Sequence, residues 1–163
     1  MPHSSGIPFS SNLFLFTEPL RGWRQVWVTQ RHTAIDVAHA LRTLVDECYP
    51  NAERIVLVSD NLNVHSAASL YTAFGPVEAR RVASKLEWHY TPIHASWLNM
   101  AELELSVLAR QCLARRWPNL ETLRAEVAAW VQARNAATTG IDWRFTNPDA
   151  RIKLKHLYPA ITL

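Results

Sequence analysis

Asp60 follows the apolar run "IVLV" of "RIVLVSDNLNVH" (54–65), and Asn61, Asn63 and His65 come directly after it. A carboxylate at the end of a buried strand is unfavourable unless something pairs it, and a divalent cation is a common partner. A second carboxylate group stands in "TPIHASWLNMAELELS" (91–106), where His94 and Ser96 precede a helical segment bearing Asn99, Glu102, Glu104 and Ser106. Two carboxylates from a strand end and a helix start, converging at one sheet edge, can hold Mg²⁺ through hard oxygen donors and retained waters. Pairs of such ions activate a water or hydroxyl and stabilise the leaving oxygen in phosphodiester chemistry.

Each of these residues also has a plainer reading. Asp60 could be a turn or cap residue, Asn61 a turn residue and His65 a helix cap; alternatively Asn61, Asn63 and His65 could position a phosphate or a water. At 100° per residue the apolar stripe of the second segment runs through Trp97, Ala101, Leu105, Leu108 and Cys112. Glu102 falls on one flank of it and Glu104 on the other. Both could be stripe-edge glutamates in water, and periodicity does not choose between them.

The elements that must position these residues are legible. "NLFLFTEP" (12–19) and "RQVWVTQ" (24–30) read as two strands joined by the short connection "LRGW". "TAIDVAHALRTLVDECY" (33–49) places Ile35, Ala38, Leu41, Leu44 and Val45 on one helical stripe, with Thr33 as cap and Pro50 beyond the end. "RIVLVSD" (54–60) has the near-continuous apolar pattern of a strand covered on both faces and lying inside a sheet. Short helices follow at 66–74 and 76–86, then a strand at 87–92, then two longer helices at about 97–115 and 119–137. The order β-β-α-β-α-β-α-α predicts an α/β fold with a mixed sheet flanked by helices.

At 163 residues the chain fits one domain with one core region. Hydrophobic content of 48% against 19% charged residues argues against disorder. The net charge of +3 is unevenly spread: residues 105–163 hold nine Lys/Arg against four Asp/Glu, and residues 1–104 hold eight against ten. That asymmetry suits a polyanionic partner or a solvated helix face. Arg110, Arg115 and Arg116 end a helix, and Lys153 and Lys155 alternate with Ile152 and Leu154 in the tail; these five are the candidate contacts to a DNA backbone. Cys48 and Cys112 have no CxxC spacing or zinc-site pattern, which suits a reducing, cytoplasmic setting. No apolar run is long enough for a membrane span, and "MPHSSGIPFSSN" lacks the regions of a signal peptide.

"VSDNLNVH" and "YTPIHASWLNMAELELSVLARQCL" resemble the second and third acidic motifs of the DDE-superfamily endonuclease domain found in transposases of the mariner-like insertion-sequence family 630. The similarity runs from "NLFLFTEPLRGW" to "DARIKLKHLYP", so the expected organisation is a leader at 1–11, a partial catalytic domain at 12–159 and a tail at 160–163. The resemblance implies a ribonuclease-H-like fold, three carboxylates binding two Mg²⁺ or Mn²⁺ ions, and cleavage and strand transfer at transposon ends and target DNA. Carried over by motif, Asp60 is the second acid and Glu102 the third, both metal ligands, with Asn61, Asn63, His65, His94 and Asn99 around them. The implied setting is the nucleoid, with a homodimer among the expected states.

Two departures accompany the resemblance. Forty-one residues separate Asp60 from Glu102, somewhat more than the family usually has. The family's first Asp lies on a strand ahead of the hairpin, whereas "MPHSSGIPFSS" contains no acid. Asp36 lies inside a helix, and Glu18 ends a strand of the wrong direction. The expectation is a domain lacking its first, central strand, impaired alone, whose missing segment could be supplied in trans. The rival expectation is an inactive remnant that binds DNA or docks onto a partner transposase.

Overall fold

The computed structural model describes residues 11–60, 66–91 and 100–140, together with 142, 144, 146, 148, 149 and 152. Strands β1 (Asn12–Glu18) and β2 (Trp23–Thr29) form an antiparallel hairpin with Asn12 opposite Thr29 and Glu18 opposite Trp23. Gly22 closes it at φ +62°, and a Cβ there would stand 2.5 Å from the Thr138 carbonyl oxygen. Only glycine meets both demands, a left-handed turn and a backbone passing at contact distance.

Helix α1 (Ala34–Thr43) begins with a capping box: Thr33 Oγ1 accepts from the Asp36 amide, and Asp36 accepts from the Thr33 amide at 2.9 Å. It widens into a π-helical stretch over Leu44–Cys48. Strand β3 (Ile55–Ser59) pairs in parallel with β4 (Leu86–Tyr90), and the crossover carries α2 (Ala68–Ala73) and α3 (Pro76–Ser84). Helix α4 (Met100–Leu108) also widens, over Ala109–Leu113, and α5 (Leu120–Ala136) starts at Asn119, whose Oδ1 accepts from the Thr122 amide at 2.8 Å.

The hairpin is covered on both faces by side chains that alternate along it. Phe14, Phe16 and Trp27 pack into a core with Val37, Leu41 and Val45 of α1 and its extension, Leu70 of α2, and Ala79 and Val82 of α3. Leu13, Leu15, Val26 and Val28 pack on the other face against Leu108, Cys112, Leu123, Val127 and Val131. Ile55, Leu57 and Trp88 of the second pair join the first core, so one helical layer serves both pairs of strands.

The structure corrects four expectations. The strands of the described residues form two separate two-stranded sheets, β1-β2 and β3-β4, and not one mixed sheet. The β3 strand is not covered on both faces: Val56 is 60% and Val58 55% exposed. An unbroken apolar run gives the composition of a strand, but what covers each face depends on neighbours far away in sequence. Ile35 is 48% exposed, while Val37 and Ala40 are buried instead; the buried arc of α1 is shifted because it faces both α2 and the hairpin. Finally, Glu104 is not in water, as shown below.

Candidate active site

A groove of about 620 Å³ opens between the two sheets, lined by Leu15, Phe16, Thr17 and Glu18 of β1 and by Ile55, Val56, Leu57 and Val58 of β3. Side chains of consecutive strand residues point to opposite faces, so four in a row can line one groove only along the edge of a strand. Each edge is the one away from its paired neighbour, since among the described residues β1 pairs only with β2 and β3 only with β4. Met100 and Ala101, which open α4, line the same groove. Asp60 comes two residues after Val58 and Glu102 one residue after Ala101.

Asp60 is half-buried immediately beyond β3, and Glu102 is exposed in the first turn of α4, where a negative charge also suits the helix dipole. The hydroxyl of Ser59, one residue before Asp60, is buried without a hydrogen-bond partner among the described residues. In donor chemistry the two carboxylates suit Mg²⁺ or Mn²⁺. They do not by themselves fit a pair of ions. Among the described residues no group of three or more His, Cys, Asp or Glu side chains is arranged to hold a metal.

Glu104 has a different role. It is 1% exposed and pairs with two arginines. Arg134 donates to it from Nε at 2.8 Å and from Nη2 at 3.3 Å, and Arg24 Nε lies 2.7 Å from Oε1 in an ion pair with both side chains 1% exposed. The Arg24 Nε–H is not aimed along that contact and makes no hydrogen bond, so the attraction there is chiefly coulombic. Burial pulls the Arg24 guanidinium below its ordinary range; Glu104 opposes that shift and Arg134 adds to it. Arg24 also donates from Nη1 to Asn135 Oδ1 at 3.4 Å and from Nη2 to the Thr139 carbonyl. Its backbone is clasped by Asn135, which accepts from Arg24 N at 2.9 Å and donates to Arg24 O at 2.8 Å. Arg24 carries no chemical motif in the sequence; only its place between Trp23 and Gln25 in a strand whose neighbours alternate inward would have raised the suspicion of burial.

Glu18, which lines the groove, and Asp36, in the first turn of α1, are engaged with other partners. Asp36 is held by the Thr33 hydroxyl and amide as a cap. Glu18 accepts from Tyr49 Oη at 2.7 Å and pairs with Arg21 at 3.2 Å. Burial, and then Glu18 itself, push the Tyr49 hydroxyl well up, which keeps it a donor. This places Glu18 beside the segment leading into β3, whereas Asp60 leaves β3 at its other end, roughly 17 Å along at 3.3 Å per residue. Neither residue replaces a third site acid.

Arg110, Arg115 and Arg116 are exposed near the end of the α4 segment. Arg115 pairs with Glu126 at 3.0 Å and lies 4.1 Å over the Trp117 ring, a pose that holds its guanidinium at the surface. Asn61, Asn63, His65, His94, Asn99, Trp97, Lys153 and Lys155 lie outside the described residues.

Residues 4–124 match the DDE superfamily endonuclease family, a span that includes both Asp60 and Glu102 and most of the described elements. The chain belongs to that family. Searches of curated proteins and of solved structures returned no match. A DDE superfamily endonuclease acts on DNA and typically uses divalent metal ions, which agrees with the oxygen-donor pair and the basic surface. The mixed α/β arrangement is compatible with a ribonuclease-H-like domain. No helix among the described residues is long and apolar enough to cross a membrane.

Proposed function

We propose that this chain is the catalytic-domain portion of a mariner-like insertion-sequence transposase, working in metal-dependent cleavage and strand transfer of DNA. The observation that carries the reading is the shared groove: the residues just ahead of Asp60 and those just ahead of Glu102 border one space, within a span that matches the DDE endonucleases. Asp60 and Glu102 would hold Mg²⁺ or Mn²⁺, which when bound supplies charge stabilisation at the phosphodiester. The chain's own part is to bind and orient. Asn61, Asn63, His65, His94 and Asn99 would position a phosphate or an ordered water, and Arg110, Arg115, Arg116, Lys153 and Lys155 would contact the DNA backbone. Glu104, tied up by two arginines, is left out of the donor set.

The finer reading includes a strand that completes the sheet. Across the groove, β1 and β3 have no strand partner among the described residues, an arrangement that an additional strand satisfies. We place between β1 and β3 an extended segment of transposase polypeptide that brings the third acid. The same groove favours a second reading, in which this chain is a non-catalytic partner that docks onto such a polypeptide and binds DNA through its basic end.

Mn²⁺ titration followed by electron paramagnetic resonance tests the metal site. Asp60→Ala and Glu102→Ala should each weaken binding about tenfold or more, and Glu121→Ala should not. Unchanged binding in the first two variants would remove Asp60 and Glu102 from the site.

DNA binding through these residues should be steeply salt-dependent and indifferent to sequence, because contacts to phosphates release counterions and read no base edges. Replacing Arg115, Arg116, Lys153 and Lys155 with Ala should flatten the plot of log K against log salt by about 3 to 4 units of slope. An unaltered slope would exclude these four residues as the contact surface.

A further inference from the structure

Helix α4 is anchored unevenly. Its two buried residues are Glu104 and Leu108, and the apolar packing against β2 and α5 runs through Leu105, Leu108 and Cys112. In the first turn Glu102 is exposed and Leu103 is 46% exposed, while Met100 and Ala101 are partly buried and border the groove. Closest to that turn is the carboxylate of Glu104, gripped by Arg134 of α5 and by Arg24 of β2. Glu104 and Glu102 are two residues apart, about 200° around the helix, so turning Glu104 inward turns Glu102 outward on the far side.

We propose that the Arg24–Glu104–Arg134 cluster is a positioning device that sets the rotation of the first turn of α4 and thereby the placement of the Glu102 carboxylate. The proposal rests on the reading of Glu102 as a metal ligand. Apolar packing alone would tolerate a rotation of this turn, since small slides along an apolar surface exchange one contact for another. A buried carboxylate facing two guanidinium groups has one acceptable orientation, because any other leaves charges buried and unpaired. The cluster draws on three separate elements, and Asn135 and the Thr139 carbonyl hold Arg24 from behind. Glu104 is therefore clamped against a rigid background, not against a mobile side chain.

The discriminating variant is Arg24→Met with Glu104→Leu, which removes both fully buried charges and keeps side chains of similar volume, an exchange that commonly leaves stability unchanged or raised. Arg134, 16% exposed at its side chain, can turn to solvent. The double variant should keep its thermal midpoint and far-ultraviolet circular dichroism yet bind Mn²⁺ about tenfold more weakly, the loss typical when an orienting partner of a ligand is removed. Leu108→Ala, which loosens α4 one turn beyond Glu104 without touching the ion pairs, serves as the comparison and should keep Mn²⁺ affinity once corrected for its folded fraction. Wild-type affinity in the double variant, or an equal loss in Leu108→Ala, overturns the positioning role. Glu102→Ala separates the two readings. If it weakens Mn²⁺ binding while the double variant does not, positioning alone fails. If Glu102→Ala changes nothing, or the unaltered chain binds no Mn²⁺, the metal reading fails and the proposal falls with it.

Discussion

Incubated with transposon-end duplex and excess Mg²⁺ or Mn²⁺, the 163-residue chain should leave the DNA uncut. Asp60 and Glu102 supply two carboxylates, and among the described residues nothing makes them a cluster of three. One hard cation can be held this way, but an in-line displacement with an ion on each side of the phosphate needs further ligands. Glu18 and Asp36 are committed to Tyr49, Arg21 and Thr33, so neither can swing in without breaking a cap or a hairpin contact. Adding an extended apolar segment that ends in Asp should permit nicking and raise the thermal midpoint, since it would fill the groove bordered by β1 and β3 and cover Val56 and Val58. The same segment ending in Asn should raise the midpoint without nicking, which separates filling the groove from completing the site. Robust cutting by the chain alone, abolished by Asp60→Ala, would falsify the incomplete-site reading.

Glu104→Ala should destabilise the fold by about 3–5 kcal/mol, the usual loss when one member of a buried ion pair is removed and its partner is left charged. Arg24 cannot escape to water: its side chain is 1% exposed, and Asn135 and Thr139 hold it in place. Against a typical total of 5–15 kcal/mol that is a large fraction, equivalent to a fall of about 10 °C or more in the thermal midpoint. Urea unfolding with matched slopes measures it. By contrast Glu102→Ala, at an exposed position, should change stability by less than about 0.5 kcal/mol. Similar losses for the two glutamates would mean that the structural assignment of Glu104 is wrong.

Much of this protein was legible in one dimension. The order and type of its elements follow from local rules: apolar alternation in "NLFLFTE" and "RQVWVT", the Thr33 cap, and the Pro118–Asn119 stop and start between helices. Such signals act over one or two turns, and the chain carries them in adjacent residues. The acidic motifs around Asp60 and Glu102 were legible for the same reason, and the family match spans both. Their roles as ligands remain a proposal that the groove supports.

Tertiary structure decided what depends on distant partners. Glu102 and Glu104 flank the same helical stripe at equal standing until Arg24 and Arg134, 80 and 30 residues away in sequence, take one of them into the core. Alternation puts Arg24 on the same face of β2 as Val26 and Val28, but a buried arginine there depends on Asn135, Glu104 and the Thr139 carbonyl arriving to meet it. The same holds for β3, whose apolar run "IVLVS" is compatible with a covered strand or with one bordering a groove. Burial is a property of what else arrives at a surface, and side-chain chemistry records only what a residue can tolerate there.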